Sequence, residues 1–156
     1  MKTFGIVSEK KNDILSFQIS GYFDEAAQLP PIDECSMVKI DLGNVSGINS
    51  YGIRRWCQWV QAVPIKTKII LFECPIMFIK SFNSVFGFFT SNMVVTSFYV
   101  PFYSPDTDFR KDVLYRRDEQ FGENWVKHPI VLGEDQKPLE LDTANNYFKF
   151  LGVRQQ

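Results

Sequence analysis

A nucleophile needs a base beside it, and a metal needs several donors aimed at one point. Few residues of this chain meet either requirement. Ser50 and His128 form the one suggestive serine–histidine combination. His128 is the only histidine, precedes Pro129 and lies far along the chain, so nothing in the pattern joins the two. Asp24, Glu25, Asp33 and Glu34 come in adjacent pairs, but they read as helix-end and loop charges. Cys35, Cys57 and Cys74 are odd in number and widely spaced. Without a C-x-x-C there is neither a redox pair nor a local zinc clamp, and buried apolar cysteines are expected. No G-x-x-x-x-G-K-[ST] phosphate loop occurs. The reading is therefore non-enzymatic, with no catalytic residue, no metal and no cofactor.

A different chemistry is written around Asn49, Ser50, Tyr51 and Gly52. Small polar residues and a glycine follow an apolar run and precede a helical pattern. A helix start leaves backbone N–H groups without intrahelical partners, and Asn or Ser can accept from them. An anion placed there meets the same groups and the positive end of the helix dipole. Arg54 and Arg55 stand in the first turn, where the dipole disfavours cations, so an anion or an acidic partner surface would suit them. The plainer alternative is a capping residue with solvated arginines beside it.

The elements that must hold this segment follow from hydrophobic period. Thr3–Ser8 and Ile14–Tyr22 read as strands. Leu15, Phe17 and Ile19 alternate with Ser16, Gln18 and Ser20, and a polar turn at 10–13 makes a hairpin. Asp24–Leu29 reads as a helix of one or two turns, stopped by Pro30–Pro31. Met37–Leu42 is a third strand and Gly43–Ile48 a loop. Ile53, Trp56, Cys57, Val60 and Val63 are spaced by three and four, an amphipathic helix from Ser50 to Pro64. Lys68–Phe72 is a buried strand, Pro75–Phe86 a second helix, and Val94–Val100 a further strand. This alternation predicts an α/β fold with a mixed, largely parallel sheet and crossover helices over residues 1–100. Residues 101–156 read as a small loop-rich extension with short strands, at 111–115 and 137–141, packed on the first unit. A mixed-charge exposed stretch spans 116–124, and a final helical turn lies within 145–151.

The 156 residues carry 17 basic and 18 acidic side chains, a net charge of −1. That balance gives no general attraction to nucleic acid or anionic lipid. No secretory leader and no apolar run long enough to span a membrane is present, so a cytoplasmic protein is expected. Aromatics make up 15%, with 15 Phe. The run Phe86-Gly87-Phe88-Phe89 cannot face inward entirely from one helix, so at least one ring is expected at the surface or under the tail or a second subunit. A homodimer is among the arrangements left open.

The segment Val38–Ile53 resembles the STAS domain, the fold of bacterial anti-sigma factor antagonists. There a strand leads to an Asp-Ser-Ser-Gly-like pattern at a helix start, matched here by Asn49, Ser50, Tyr51 and Gly52. The resemblance covers residues 1–100. It implies a signalling or regulatory protein acting through a protein partner, such as a kinase or an anti-sigma-like regulator, with Ser50 as the phosphorylated position. Asn49 and Tyr51 depart from the pattern. The alternative it implies is a sensor of a small ligand, nucleotide or lipid. A second resemblance is to a C-terminal zinc-ribbon extension, with Ser104, Thr107, Leu132 and Asp135 where metal-binding knuckles would place ligands. Such residues cannot hold structural zinc. The implied relic is metal-free, held by Phe102, Tyr103, Phe109, Trp125, Phe148 and Phe150.

Overall fold

In the computed structural model, residues 2–152 are described. Strands β1 (Gly5–Lys11) and β2 (Ile14–Phe23) form the expected hairpin. Its two turn residues, Asn12 and Asp13, have φ of 51° and 64°. Both are left-handed, which suits a tight turn between twisted antiparallel strands. The chain continues through β3 (Met37–Ile48), α1 (Ser50–Gln61), β4 (Lys68–Phe72), α2 (Ile76–Ser84) and β5 (Met93–Val95). The sheet runs β1-β2-β3-β4-β5. Only β1 is antiparallel to its neighbour; β2 to β5 are parallel. The α/β class and the largely parallel sheet are thus as the period predicted.

Strand register explains where the core sits. Leu15, Val38, Ile69 and Met93 line up across four strands, as do Phe17, Ile40, Leu71 and Val95. All eight are buried. The intervening positions on β2 and β3, Ser16, Gln18, Lys39 and Asp41, are half-buried or exposed. The sheet therefore buries one face under the helices. Trp56 of α1 is the centre of that packing. It has no exposed surface, its ring lies 5.1 Å from Phe78 and 5.4 Å from Phe88, and its indole N–H donates to the Phe88 carbonyl at 2.9 Å. A buried indole is satisfied in this way at little cost.

After Thr96 the chain enters a second sheet. Strands β6 (Ser97–Tyr103), β7 (Arg110–Arg116) and β10 (Glu140–Leu141) are antiparallel in the order β10-β6-β7. A small hairpin pairs β8 (Phe121–Gly122) with β9 (Trp125–Val126), and a 3₁₀ turn closes at Lys149–Leu151. Backbone bonds stitch the two sheets at Cys74: its N–H donates to the Ser97 carbonyl and Tyr99 N–H donates to the Cys74 carbonyl, at 3.1 and 2.9 Å. Phe98, beside this junction, has ring neighbours Tyr115, Phe121, Tyr147, Phe148 and Phe150 within 6.5 Å. Among the described residues no helix is long and apolar enough to cross a membrane.

Six expectations are corrected. Gly43–Ile48 is not a loop but the second half of β3. Asp24–Leu29 makes one turn, with Ala27 N–H on the Asp24 carbonyl, and no helix. The strand expected at 94–100 is two strands in two sheets, broken at Thr96. The 116–124 stretch is not wholly exposed, because it carries Phe121 into the core. Of the six aromatics expected to hold the extension, Phe102 and Phe148 are buried, whereas Trp125 is 41% exposed. α2 ends at Ser84, and Phe86 beyond it is fully exposed while Phe88 is buried.

Candidate functional site

Parallel strands bring their C-terminal ends together. Phe23, the last residue of β2, pairs with Ile48, the last of β3. Asn49 follows at once, with its backbone N–H on the Phe23 carbonyl at 3.1 Å. Its extended backbone makes it the N-cap of α1, and its side-chain Oδ1 accepts from Gly52 N–H at 2.9 Å. That is the ordinary exchange of an asparagine cap with the third helical residue. Asn49 Nδ2 turns the other way and donates to Glu25 Oε2 at 3.2 Å. The cap thereby ties the turn after β2 to the helix start.

Gly52 is buried against the same strand end. A Cβ built there would lie 2.1 Å from the Phe23 carbonyl oxygen. Glycine allows the helix to begin in direct contact with the sheet. Ser50, Tyr51, Arg54 and Arg55 point outward and are all exposed; Tyr51 is 60% exposed. Neither arginine forms an ion pair with a described residue. The six sequence-predicted site residues therefore separate into two structural ones, Asn49 and Gly52, and four that the fold leaves available.

Glu25, which the sequence reads only as a helix-end charge, belongs to this tip, and its place was derivable. In a parallel sheet, residues that follow one strand meet the helix that follows the next. Its carboxyl is held below the usual range, first by its own backbone N–H, then by the Asn49 amide, with Arg55 adding attraction. The tip thus presents one carboxylate, two guanidinium groups and the exposed Ser50 hydroxyl.

The other candidate positions lie elsewhere. His128 is far from Ser50 in contacts: its Nδ1 is 2.8 Å from the Tyr115 hydroxyl, and its ring packs on Phe148. Burial holds the imidazole below its usual pKa. Cys35 and Cys74 are buried and Cys57 is half-buried; burial raises all three thiols. Ser104, Thr107 and Asp135 do come together, around a hollow of about 500 Å³ shared with Gly133. Ser104 Oγ accepts from the N–H groups of Asp106 and Thr107 at 3.2 Å each. Leu132 lies outside this hollow and is 46% exposed. Among the described residues no three His, Cys, Asp or Glu side chains form a metal-binding group.

The hollow nearest the helix tip holds Arg55, Ala27 and Trp59 and measures about 280 Å³. A larger one, about 990 Å³, lies at the opposite end of α1. No family model matches the chain, and no curated protein matches it.

Proposed function

We propose that this is a STAS-like, non-enzymatic regulatory or scaffold protein that binds a protein partner through the N-terminal tip of α1. One observation carries the reading. Asn49 and Gly52 seat the helix start on the sheet, while Ser50, Tyr51, Arg54 and Arg55 project from it, exposed and without a side-chain ion pair to a described residue. An exposed tyrosine flanked by arginines is the composition of an interface anchor. Phosphate on Ser50 would add about −1.5 to −2 charges at a helix N-terminus beside two arginines. It would also add to the negative charge of Glu25, bonded to the cap at the same helix start. Both changes redraw the charge that a partner meets.

The sensor alternative has less support at this tip. A hollow of about 280 Å³ there falls below the roughly 300–1,000 Å³ of typical ligand sites. In the extension, hydroxyls and a carboxylate stand where a ribbon would need thiolates, which supports a relic held by packing. The test is recovery of binding partners by the wild-type chain, by Ser50→Asp and by the double variant Tyr51→Ala/Arg54→Glu. A partner held by the wild type and lost from both variants is expected. Equal recovery with Ser50→Asp removes the switch; equal recovery with the double variant removes the tip as the contact surface.

A further inference from the structure

The opposite end of α1 carries a separate feature, independent of the helix-tip reading. The end of α1, the end of α2, the 85–92 connection and the 3₁₀ turn enclose an open groove of about 990 Å³. Val63, Ile65, Phe82, Phe86, Phe89 and Phe150 supply its apolar surface. Ile65 is 71% exposed, and Phe86 at the rim is fully exposed. No other aromatic of the fold is so uncovered, and an exposed apolar patch beside a hollow marks a binding surface.

Most polar side chains of the groove are already engaged. Gln61 Nε2 donates to the Gly87 carbonyl, which holds the turn that displays Phe86. Asn83 donates to the Tyr147 carbonyl and accepts from Phe150 N–H. Thr90 Oγ1 and Asn92 satisfy each other, and Asn92 also donates to the Thr67 carbonyl. Among the described residues Lys149 is the one charged residue of the lining, and it pairs with no described carboxylate. A long apolar wall with a single available cation complements a long apolar body with a single anion.

We infer that this groove is a binding site for a free amphiphile, an unbranched apolar chain ending in one carboxylate, with its tail along Phe82, Phe89 and Phe86 and its head at Lys149. Because its walls come from both helices, the connection after α2 and the 3₁₀ turn, occupancy would clamp the C-terminal turn against the helices.

The test is calorimetric titration of the full chain with dodecanoate below its micelle concentration, and with dodecyltrimethylammonium as the opposite-charge probe. Phe86 and Lys149 are exposed, so Phe86→Ala and Lys149→Glu should keep the wild-type unfolding curve. Saturable binding of one dodecanoate per chain is expected, weakened about tenfold by Lys149→Glu and at least about threefold by Phe86→Ala. The cationic probe should bind at least about tenfold more weakly. Absence of saturable binding, equal binding by both variants, or equal affinity for the cation would overturn the site. So would sedimentation showing a dimer that Phe86→Ala dissolves while dodecanoate is ignored. Pelleting with phosphatidylglycerol vesicles without uptake of the free acid would assign the groove to a membrane surface instead.

Discussion

At Gly52 two effects oppose each other. Alanine in a helix is favoured over glycine by about 1 kcal/mol. A methyl group 2.1 Å from the Phe23 carbonyl forces the helix away from the sheet, and overpacking of this kind costs about 3 kcal/mol. The clash wins, so Gly52→Ala is expected to lower stability by about 2 kcal/mol in urea unfolding. A neutral or stabilising result would show that the helix start can slide. Asn49→Ala removes one cap and is expected to cost about 1 kcal/mol. It also removes an amide that, after Glu25's own backbone N–H, helps to lower the Glu25 pKa. The Glu25 pKa is depressed in the folded chain, so its contribution is present above the unfolded value of about 4.3 and is lost as pH falls through the folded one. A carboxyl titration by NMR should show the Glu25 midpoint rising in Asn49→Ala, while the carboxyls remote from the tip stay where they were.

The elements show which signals survive in sequence and which do not. The β1–β2 hairpin, α1, β4 and α2 were legible because each keeps a single period between clear breakers. Gly43–Ile48 was misread because Gly43, Asn44, Ser46 and Gly47 are turn-type residues with no alternation. The structure shows why a strand survives there. Pairing moves from Gln18↔Asp41 to Ser20↔Asn44 and from Gly21↔Val45 to Tyr22↔Gly47, so β3 twice carries one residue more than β2. Each bulge destroys period two. Gly47 is then covered by the Tyr22 ring, 2.6 Å from where a Cβ would stand. Such pairing depends on the neighbour, which no local window contains. The site was legible to the same degree: the helix tip could be read, its junction with β2 and Glu25 could not. At the β7 end of the molecule, His128 gives an element-scale prediction. Neutral Nδ1 can accept the Tyr115 hydroxyl proton, and protonated Nδ1 cannot. Burial lowers the folded pKa, so this contribution is complete above about 6.5, the unfolded value, and lost as pH falls through the folded one. Amides near His128 should exchange faster, relative to intrinsic rates, at pH 5 than at pH 7. In His128→Gln that pH difference should vanish.

Across the whole molecule, the extension contributes to one core with the first sheet. Asn83, on α2, reaches the last turn of the described chain with both ends of its amide: Nδ2 donates to the Tyr147 carbonyl at 2.8 Å, and Oδ1 accepts from Phe150 N–H at 2.9 Å. Tyr147 then passes its own hydroxyl hydrogen to the Tyr99 carbonyl at 2.6 Å, on the strand that links the sheets. Packing adds Phe150 against Phe82 and Phe89, and Phe148 against Phe98 and Tyr115. Helix α2 is therefore the clamp between the two sheets. Its sequence announces only an apolar stripe, and the role of Asn83 depends on partners more than 60 residues away. Asn83→Ala leaves a half-buried carbonyl and an N–H without partners, at a cost of about 2–3 kcal/mol. The loss should be local first. Amides of 147–151 should lose hydrogen-exchange protection while those of β2, β3 and β4 keep theirs, because the pairing of those strands uses no bond to Asn83. Asn83→Asp retains the acceptor for Phe150 N–H but loses the donor to Tyr147, and should fall between wild type and alanine. If Asn83→Ala leaves 147–151 as protected as in the wild type, the aromatic packing alone holds the sheets together and the amide is not the clamp.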